Sequence, residues 1–374
     1  MKIRKRVAII TLPLGENYGG ILQAYSLQKI VHNLGMNVVT ASIPKQNSLK
    51  LLANRVIKTV LHIVKSSVSN MTSKDILIKT EKTRQFVNKY IKTIDKKHLH
   101  NDDFDVYIVG SDQVWRAKYV NISDYMLNFA TAKTGAVKIS YAASFGKDDL
   151  NEYRNSDIKE SSRLAKNFDG ISVRERSGVK LAEKHWGVKA LHHIDPTMLI
   201  PKKQYNNLIK SNQGDTYKPE GKLFVYILDK SSEKENIVEK TSQLSGLKSF
   251  GFMPPSTNSK RAFRNNPEKY KLPSVEQWLR SFRDADFVVT DSFHGCVFSI
   301  IYNKPFIAIG NKSRGLSRFT SLLELFGLES RLVGSQSEVN EHLVGSNIDW
   351  RKVNSVLKNE QQRSRKYLEE NLNA

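Results

Sequence analysis

Residues 286–310 read DFVVTDSFHGCVFSIIYNKPFIAIG, and their pattern is the clearest indication of the fold. An apolar run, Phe287–Thr290, is followed by a polar turn, an apolar segment of helical length and a second apolar run, Pro305–Ile309. Runs that are apolar throughout suit strands covered on both faces of a parallel sheet, and a helix joins such strands. We therefore predict an α/β fold.

The same alternation extends in both directions along the chain. Further apolar runs predict strands at Val7–Leu12, Val106–Val109, Val137–Ala142, Gly170–Val173 and Lys222–Leu228. Periodic apolar residues predict helices at 21–34, closed by Gly35, and at Val275–Arg283, Val297–Tyr302 and Leu316–Phe326.

A length of 374 residues favours two domains, and the polar stretch Ser211–Gly221 (SNQGDTYKPEG) predicts the linker between them. We expect two doubly wound, Rossmann-like lobes, residues 1–210 and 222–345, with the active site between them. Residues 350–374 are expected to form a charged helix that packs back on the first lobe. Within that lobe, residues 46–98 predict a helical insertion with an apolar and a basic face.

The net charge of +22 is the strongest compositional signal. It is compatible with nucleic acid, an anionic membrane surface or phosphorylated substrates as partners. No zinc-finger spacing or RNA-recognition block supports nucleic acid. One cysteine, Cys296, excludes a disulfide framework, and no cluster of metal ligands is visible. No run of about 18 apolar residues predicts a membrane span.

Asn17, Tyr18, Gly19 and Gly20 follow the first predicted strand and open the first helix. Glycines allow a ligand to approach the backbone closely, and free amides at a helix start attract anions or sugar hydroxyls. We therefore expect these residues at an acceptor-binding site. An ordinary turn between strand and helix is an equally good reading of this motif.

A second polar turn, Gly110-Ser111-Asp112-Gln113, lies past the carboxyl end of a predicted strand, where open α/β sheets bind ligands. Asp112 is a candidate to bind or deprotonate a sugar hydroxyl, and Trp115 to stack on a sugar ring. Ser144, in the small-residue block ISYAASFG, is a further acceptor candidate, and a tightly packed turn with no ligand is the alternative for that block. The alternative is that Asp112 caps a helix and that Trp115 belongs to the core.

Basic residues at two strand ends are candidates for binding an anion. Arg174 ends the strand in GISVRER, where its guanidinium could clamp a carboxylate or phosphate, or form an exposed ion pair with Glu175. The loop GNKSRGLSR after the last predicted strand could bind a phosphate or simply form a solvated basic face. Its candidates are Lys312, Arg314 and Arg318.

His294 lies at the polar turn of the opening stretch, beside Ser292 and Gly295 at a predicted helix start. The positive end of a helix favours release of a proton from a charged imidazole ring, which suits a general acid. A structural histidine is the equally weighted alternative. Ser292 and Gly295 are predicted to contact the donor beside it.

Six blocks occur in order: NYGGILQAYSLQ, DVYIVGSDQVW, ISYAASFG, ISVRERSG, HIDPTMLI and VTDSFHGCVFSIIYNKPF. Together they resemble the polysaccharide pyruvyl transferase family from about residue 5 to residue 330. The resemblance implies two lobes arranged as in GT-B glycosyltransferases, phosphoenolpyruvate as the donor, and a pyruvate ketal on a sugar as the product. It also implies that His294 is the acid and that Arg174 serves the donor.

One position departs from the family pattern. Many members have arginine where this chain has Ser292, so Lys312, Arg314 or Arg318 would have to supply that charge. The expected partners are phosphoenolpyruvate, as a co-substrate with no cofactor, and a free or lipid-linked glycan, with no nucleic acid. The expected location is cytoplasmic, with the basic insertion at an anionic membrane or packed on its own lobe. A glycosyltransferase that uses a sugar nucleotide is the leading rival.

Overall fold

The computed structural model describes residues 4–43, 72–101, 103–133, 135–212, 218–255, 257, 259–310 and 315–373. The first five strands form one parallel sheet in the order β3-β2-β1-β4-β5. They are β1 (Arg6–Thr11), β2 (Asn37–Ser42), β3 (Thr93–Ile94), β4 (Val106–Val109) and β5 (Val137–Ser140). Val7 pairs with Val38 on one side and with Val106 on the other, so β1 is central.

A small parallel pair, β6 (Ser172–Val173) and β7 (Leu191–His192), continues the first lobe beside β5. The second five-stranded parallel sheet has the order β12-β11-β10-β8-β9. Its strands are β8 (Leu223–Tyr226), β9 (Ser249–Gly251), β10 (Phe287–Thr290), β11 (Phe306–Ile309) and β12 (Leu332–Val333). The predicted fold of two doubly wound lobes is confirmed.

Helices cover both sheets. Those of the first lobe are α1 (Tyr18–Asn33), α2 (Ser73–Lys79), α3 (Glu81–Tyr90), α4 (Lys96–Asn101), α5 (Ile122–Tyr125), α6 (Asn155–Ala165), α7 (Arg176–Leu181) and α8 (Lys202–Ser211). The rest are α9 (Ser232–Ser245), α10 (Lys260–Asn265), α11 (Val275–Asp284), α12 (Phe293–Tyr302), α13 (Ser317–Phe326), α14 (Glu341–Gly345) and α15 (Trp350–Asn373).

The ends of α1 show how the sequence sets these elements. Asn17 caps the start of α1, because its side chain accepts a hydrogen bond from the Gly20 amide over 3.1 Å. Gly35, just past the other end, has a φ of +89°, a left-handed conformation that favours glycine. The predicted stop at Gly35 is therefore confirmed.

The predicted insertion needs a correction. Ile94 was expected on a helix, but it lies in β3, an edge strand of the first sheet. Phe86 and Tyr90 of α3 pack against Tyr25 of α1, with ring centroids 5.8 and 6.2 Å from that of Tyr25. Residues 72–98 are therefore integral to the first lobe. Residues 46–71 of the predicted insertion lie outside the described residues, as do residues 213–217 of the predicted linker.

The C-terminal helix returns to the first lobe. Gln361 donates to the Met198 carbonyl over 2.6 Å, and Tyr367 donates through its hydroxyl to the Ser140 carbonyl over 2.9 Å. Leu368 and Leu372 are fully buried. In the part of the chain that the structure describes, no helix combines the length and apolar character needed to cross a bilayer.

Candidate active site

A buried ion cluster lies where the two lobes meet, and Arg174 is at its centre. Arg174 follows β6, and its terminal nitrogens donate to Asp195 over 2.8 Å and to Asp112 over 3.1 Å. The Arg174 guanidinium also lies over the Phe293 ring of the second lobe, 4.4 Å from its centroid. Burial opposes the charge on Arg174, but Asp112 and Asp195 outweigh that effect and raise the pKa of Arg174.

His294 enters this cluster from the second lobe. It lies in the first turn of α12, after β10, and its Nε2 is 3.5 Å from Asp195 Oδ2, an ion-pair distance without a hydrogen bond. Burial alone would raise the pKa of Asp195, but His294 and Arg174 outweigh it and lower the pKa of that carboxyl. The predicted catalytic histidine and the predicted donor arginine thus share one carboxylate.

The start of α1 closes over the other side of the imidazole ring. A Cβ added at Gly19 would lie 2.0 Å from His294 Nδ1, so only glycine allows this approach. The neighbouring Asn17 is exposed, and its side-chain nitrogen donates to Asp112 Oδ2 over a long 3.4 Å. Gly20 serves the helix cap. The turn predicted at residues 17–20 therefore lies at the contact between the lobes.

A second buried guanidinium accompanies Arg174. Arg318, in α13, is 7% exposed and its guanidinium carbon lies 6.0 Å from the centroid of Phe293. Burial and then repulsion from Arg174 lower the pKa of Arg318 to about 10. Glu175 lies fully buried nearby, and burial raises the pKa of its carboxyl although Arg174 and Arg318 oppose that shift. The cluster is thus a strongly coupled set of charges.

Several predicted acceptor residues are in the core instead. Trp115 is fully buried and its indole nitrogen donates to the Tyr125 carbonyl over 3.2 Å, so the prediction that it stacks on a sugar is wrong. Tyr18 is also fully buried, stacks on Trp278 and donates to the Pro273 carbonyl over 2.8 Å. Tyr18 therefore packs between the lobes and does not face a ligand.

Ser111 and Ser144 hold the backbone around Asp112. Ser111 is fully buried and donates to the Ala142 carbonyl over 2.6 Å. Ser144 is fully buried and donates to Glu175 over 3.1 Å. Gln113, half-buried, accepts a hydrogen bond from Arg116 over 3.3 Å. These side chains position the turn and do not face a ligand in this conformation.

Asp112 adopts a φ of +69°, which aspartate tolerates better than most residues. Its carbonyl accepts hydrogen bonds from Val114 over 2.8 Å and from Ser144 over 2.9 Å. No helix begins at Asp112, because turns follow until α5 starts at Ile122, so the capping alternative is wrong. The side chain is left to bind Arg174 and Asn17.

Ser292 is the N-cap of α12, accepting from the Gly295 amide over 3.4 Å. Gly295 fits against Thr290, since an added Cβ would lie 2.1 Å from its hydroxyl. These contacts position the turn that carries His294. Lys312 and Arg314 lie outside the described residues. Among the residues that are described, no group of three or more His, Cys, Asp or Glu side chains could hold a metal ion.

Sequence reasoning missed Asp195 and the position of Glu175. Asp195 lies in the block HIDPTMLI, and its other oxygen accepts from the Thr197 amide and hydroxyl over 3.0 and 2.7 Å. The signal available in the sequence was an aspartate directly before a proline within an otherwise mostly apolar block. Glu175 pairs with the Phe145 amide over 2.7 Å rather than with Arg174 at the surface, so the exposed ion pair considered for Arg174 is also wrong.

The cluster can hold an anion beside a proton donor. Two buried guanidiniums supply positive charge at a place from which most water is excluded, where electrostatic interactions are strong. Both terminal nitrogens of Arg174 are bonded to carboxylates, so the predicted two-pronged clamp on a ligand is not available in this conformation. His294 is the only histidine that the structure places against these charges in the described part of the chain.

Two parallel sheets whose strand ends carry the residues of one buried ion cluster define an α/β protein of the GT-B-like class. The chain belongs to the polysaccharide pyruvyl transferase family, whose sequence model matches residues 17–313. That match spans both lobes and contains Asp112, Arg174 and His294. No curated protein sequence gives a significant match to this chain.

Solved structures with distant similarity include two epimerases and a glycosyltransferase. The UDP-N-acetylglucosamine 2-epimerase from Rickettsia bellii is 10% identical, with 97% of this chain and 96% of that chain covered and a TM-score of 0.47. The UDP-GlcNAc 2-epimerase from Neisseria meningitidis is 9% identical, with 94% of this chain and 97% of that chain covered and a TM-score of 0.45. A glycosyltransferase from Rickettsia africae ESF-5 is 14% identical, with 98% of this chain and 99% of that chain covered and a TM-score of 0.40. Similarity at this level implies nothing about function.

Proposed function

We propose that this chain transfers a pyruvyl group from phosphoenolpyruvate to a hydroxyl pair of a sugar, as a ketal, in bacterial surface polysaccharide biosynthesis. Membership of the family supports the reaction class. The observation that carries the proposal is the contact of His294 from one lobe with the Asp112–Arg174–Asp195 cluster of the other. A proton donor and buried positive charge are what this reaction needs.

In this proposal His294 donates a proton to the methylene carbon of phosphoenolpyruvate. The adjacent carbon then carries oxocarbenium character, and a sugar hydroxyl adds to it with loss of its own proton. Phosphate leaves and takes the electrons of its bond to carbon, and the second hydroxyl adds to the same carbon with loss of its proton to close the ketal. Of the two protons lost by the hydroxyls, one restores His294 and the other leaves with phosphate. Every atom is supplied by the two substrates, so the scheme needs neither a cofactor nor a metal.

The roles of the other residues follow from their contacts. Arg174 and Arg318 supply positive charge for the phosphate and carboxylate of the donor, and Arg318 takes the place of the charge missing at Ser292. Asp112 keeps one oxygen towards the exposed Asn17, so it is suited to accept a hydrogen bond or a proton from the acceptor. Asp195 orients His294. Lys312 and Arg314 stay candidates for the donor phosphate.

The test is phosphate release from phosphoenolpyruvate with galactose-, mannose- and glucosamine-type acceptors, free and lipid-linked. Acceptor-dependent release should fall by ~10²–10⁴-fold in His294→Ala, the usual worth of a general acid. The exposed His342→Ala should behave as the native chain. No release with any acceptor, together with thermal protection by a nucleotide sugar and none by phosphoenolpyruvate, would favour a glycosyltransferase instead.

We further propose a cytoplasmic enzyme that meets lipid-linked acceptors at an anionic membrane surface through the basic segment 46–98. Each Lys or Arg near such a surface contributes about 1 kcal/mol. In the described part of that segment the apolar side chains of α3 pack on α1, so attachment would fall to the remainder. Flotation with anionic liposomes should require residues 46–71, the part of the segment that does not include α2, α3 or β3. Equal failure to float of the full-length protein and of a chain lacking residues 46–71 would reject attachment.

A further inference from the structure

A cavity of about 570 Å³ opens in the second lobe. It lies between β8 and β9 on one side and α9 on the other, and it extends past the carboxyl ends of both strands. Its size falls within the roughly 300–1,000 Å³ of ordinary ligand sites. At such a place an α/β lobe commonly binds the phosphates of a nucleotide, at the start of the following helix.

In this chain the protein's own carboxylate fills the phosphate position. Asp291, directly after β10, accepts from the Leu228 amide over 2.7 Å and from the Asp229 amide over 3.1 Å. Lys234, in the first turn of α9, donates to the same carboxylate over 2.6 Å. Asp291 is 1% and Lys234 8% exposed. A second anion at these donors would meet the Asp291 charge at contact distance.

The cavity walls that face solvent suit an uncharged, hydroxyl-bearing ligand. Glu235, Glu239 and Gln243 recur at helical spacing along the exposed face of α9, and they offer acceptors and an amide donor. Opposite them lie Phe252 and the exposed Met253, which give an apolar surface. Lys230 and Lys234 line the cavity as well, and Lys234 is paired with Asp291. The walls therefore combine hydrogen-bonding groups of both signs with an apolar surface, which suits the hydroxyls and the apolar face of a sugar ring.

Two residues that line the cavity, Phe252 and Lys234, link it to the turns that pack around His294. Phe252 packs edge-on against Tyr18, with ring centroids 5.4 Å apart, and the next residue, Gly19, touches His294. On the other side Lys234 binds Asp291, three residues before His294. A ligand held in the cavity therefore lies beside the residues that surround the reacting centre.

We propose that this cavity binds the sugar acceptor away from its reacting hydroxyls, and that Asp291 keeps nucleoside diphosphates out of it. The site deepens the proposed function, on which it rests, by naming the lobe that selects the acceptor. It takes over the binding role first expected of Tyr18 and Trp115, which are buried, while Asp112 stays the candidate contact for the reacting hydroxyl.

Filling the cavity tests this proposal directly. Gly251 lies in β9 on the cavity wall, and a Cβ added there meets no atom within 4 Å. Gly251→Phe should therefore place a ring in the cavity without disturbing the core. Gly345→Phe is the matched control, because Gly345 is equally open and does not line the cavity. With an acceptor that supports turnover, we expect Gly251→Phe to raise the acceptor KM about tenfold or more and to leave the phosphoenolpyruvate KM unchanged.

Saturation-transfer NMR makes the result independent of pyruvyl transfer. Galactose- and N-acetylglucosamine-terminated trisaccharides should give signals with the native chain and Gly345→Phe, and weaker signals with Gly251→Phe. Those signals would stand even if phosphoenolpyruvate were never turned over. Equal trisaccharide signals in both variants, none with the native chain, or UDP signals lost only in Gly251→Phe would overturn the proposal.

Discussion

The two lobes place an aspartate at the same point of their sheets and use it differently. In the first lobe Asp112 follows β4, beside the central strand β1, and binds a guanidinium at the contact between lobes. In the second lobe Asp291 follows β10, beside β8, and binds amides and a lysine of its own lobe. Asp112 builds a site between the two lobes. Asp291 instead closes a crevice within the second lobe and fixes the turn that carries His294.

Removing the cation from the first lobe should have the largest effect. Arg174→Met leaves Asp112 and Asp195 buried without their shared partner, which costs about 3–5 kcal/mol of the free energy of unfolding. Urea denaturation measures this loss. Arg176→Met is the control, since Arg176 is exposed and its ion pair with Glu324 is worth at most about 1 kcal/mol. Equal losses of unfolding free energy in the two variants would mean that Arg174 stabilises the fold no more than an exposed arginine does.

Adding a methyl group at Gly19, where the first lobe touches His294, should lower turnover. In Gly19→Ala the new Cβ collides with His294, so the ring must move, and a displacement near 1 Å can cost roughly 10²-fold in rate. Steady-state kinetics of phosphate release would report this change. Gly15→Ala has open space around its new Cβ and should keep native turnover. A fully active Gly19→Ala would show that this contact does not position His294.

Breaking the second-lobe link should cost less stability than losing Arg174. Asp291→Asn keeps the size of the side chain but removes the charge that pairs with Lys234, so we expect a loss of about 1.5–3 kcal/mol in urea denaturation. Asp286→Asn, exposed beside Lys222, should change almost nothing. A loss larger than that of Arg174→Met would reverse the comparison between the lobes.

Acid should destabilise the first lobe through His193, which is buried, and His192, which is half-buried. Burial lowers the pKa of His192 to about 4 and that of His193 to about 3, against 6.5 for an exposed histidine. The unfolded chain therefore binds protons that the folded chain excludes, and the free energy of unfolding falls as pH drops below 6.5. The slope is at most about 1.4 kcal/mol per pH unit for each histidine.

Replacing these histidines should flatten that dependence. His193→Gln and His192→Gln should each reduce the slope of unfolding free energy between pH 6 and about 4. Urea denaturation at a series of pH values gives the slopes. An unchanged slope in both variants would mean that other groups control the acid transition.

Local patterns predicted the sheets well because parallel strands are apolar over their whole length. Phe287–Thr290 and Val106–Val109 have the predicted bounds. Local sequence patterns were misleading where the burial of a side chain depends on residues distant in the sequence. Trp115 follows a polar turn and looks accessible, but Phe145 and Trp186 enclose it, with ring centroids 5.4 and 5.0 Å away. Neither neighbour is close to Trp115 in the sequence.

The candidate site shows the same division. His294 and Arg174 were predicted because each stands at a strand end or helix start. Asp195 was missed, since its importance depends on two partners from distant blocks, Arg174 and His294, that only the folded chain brings together. The positions of the motifs therefore identified His294 and Arg174, whereas Asp195, the carboxylate that they share, could be identified only from the structure.

Proton transfer to phosphoenolpyruvate is tested most directly by running the reaction in D₂O and analysing the product by mass spectrometry and NMR. If an exchangeable acid at the contact between the lobes protonates phosphoenolpyruvate, the methyl group of the ketal should carry one deuterium for each phosphate released. The yield should fall in His294→Ala. A product that keeps the methylene group, or a ketal free of deuterium, would contradict proton transfer at this site.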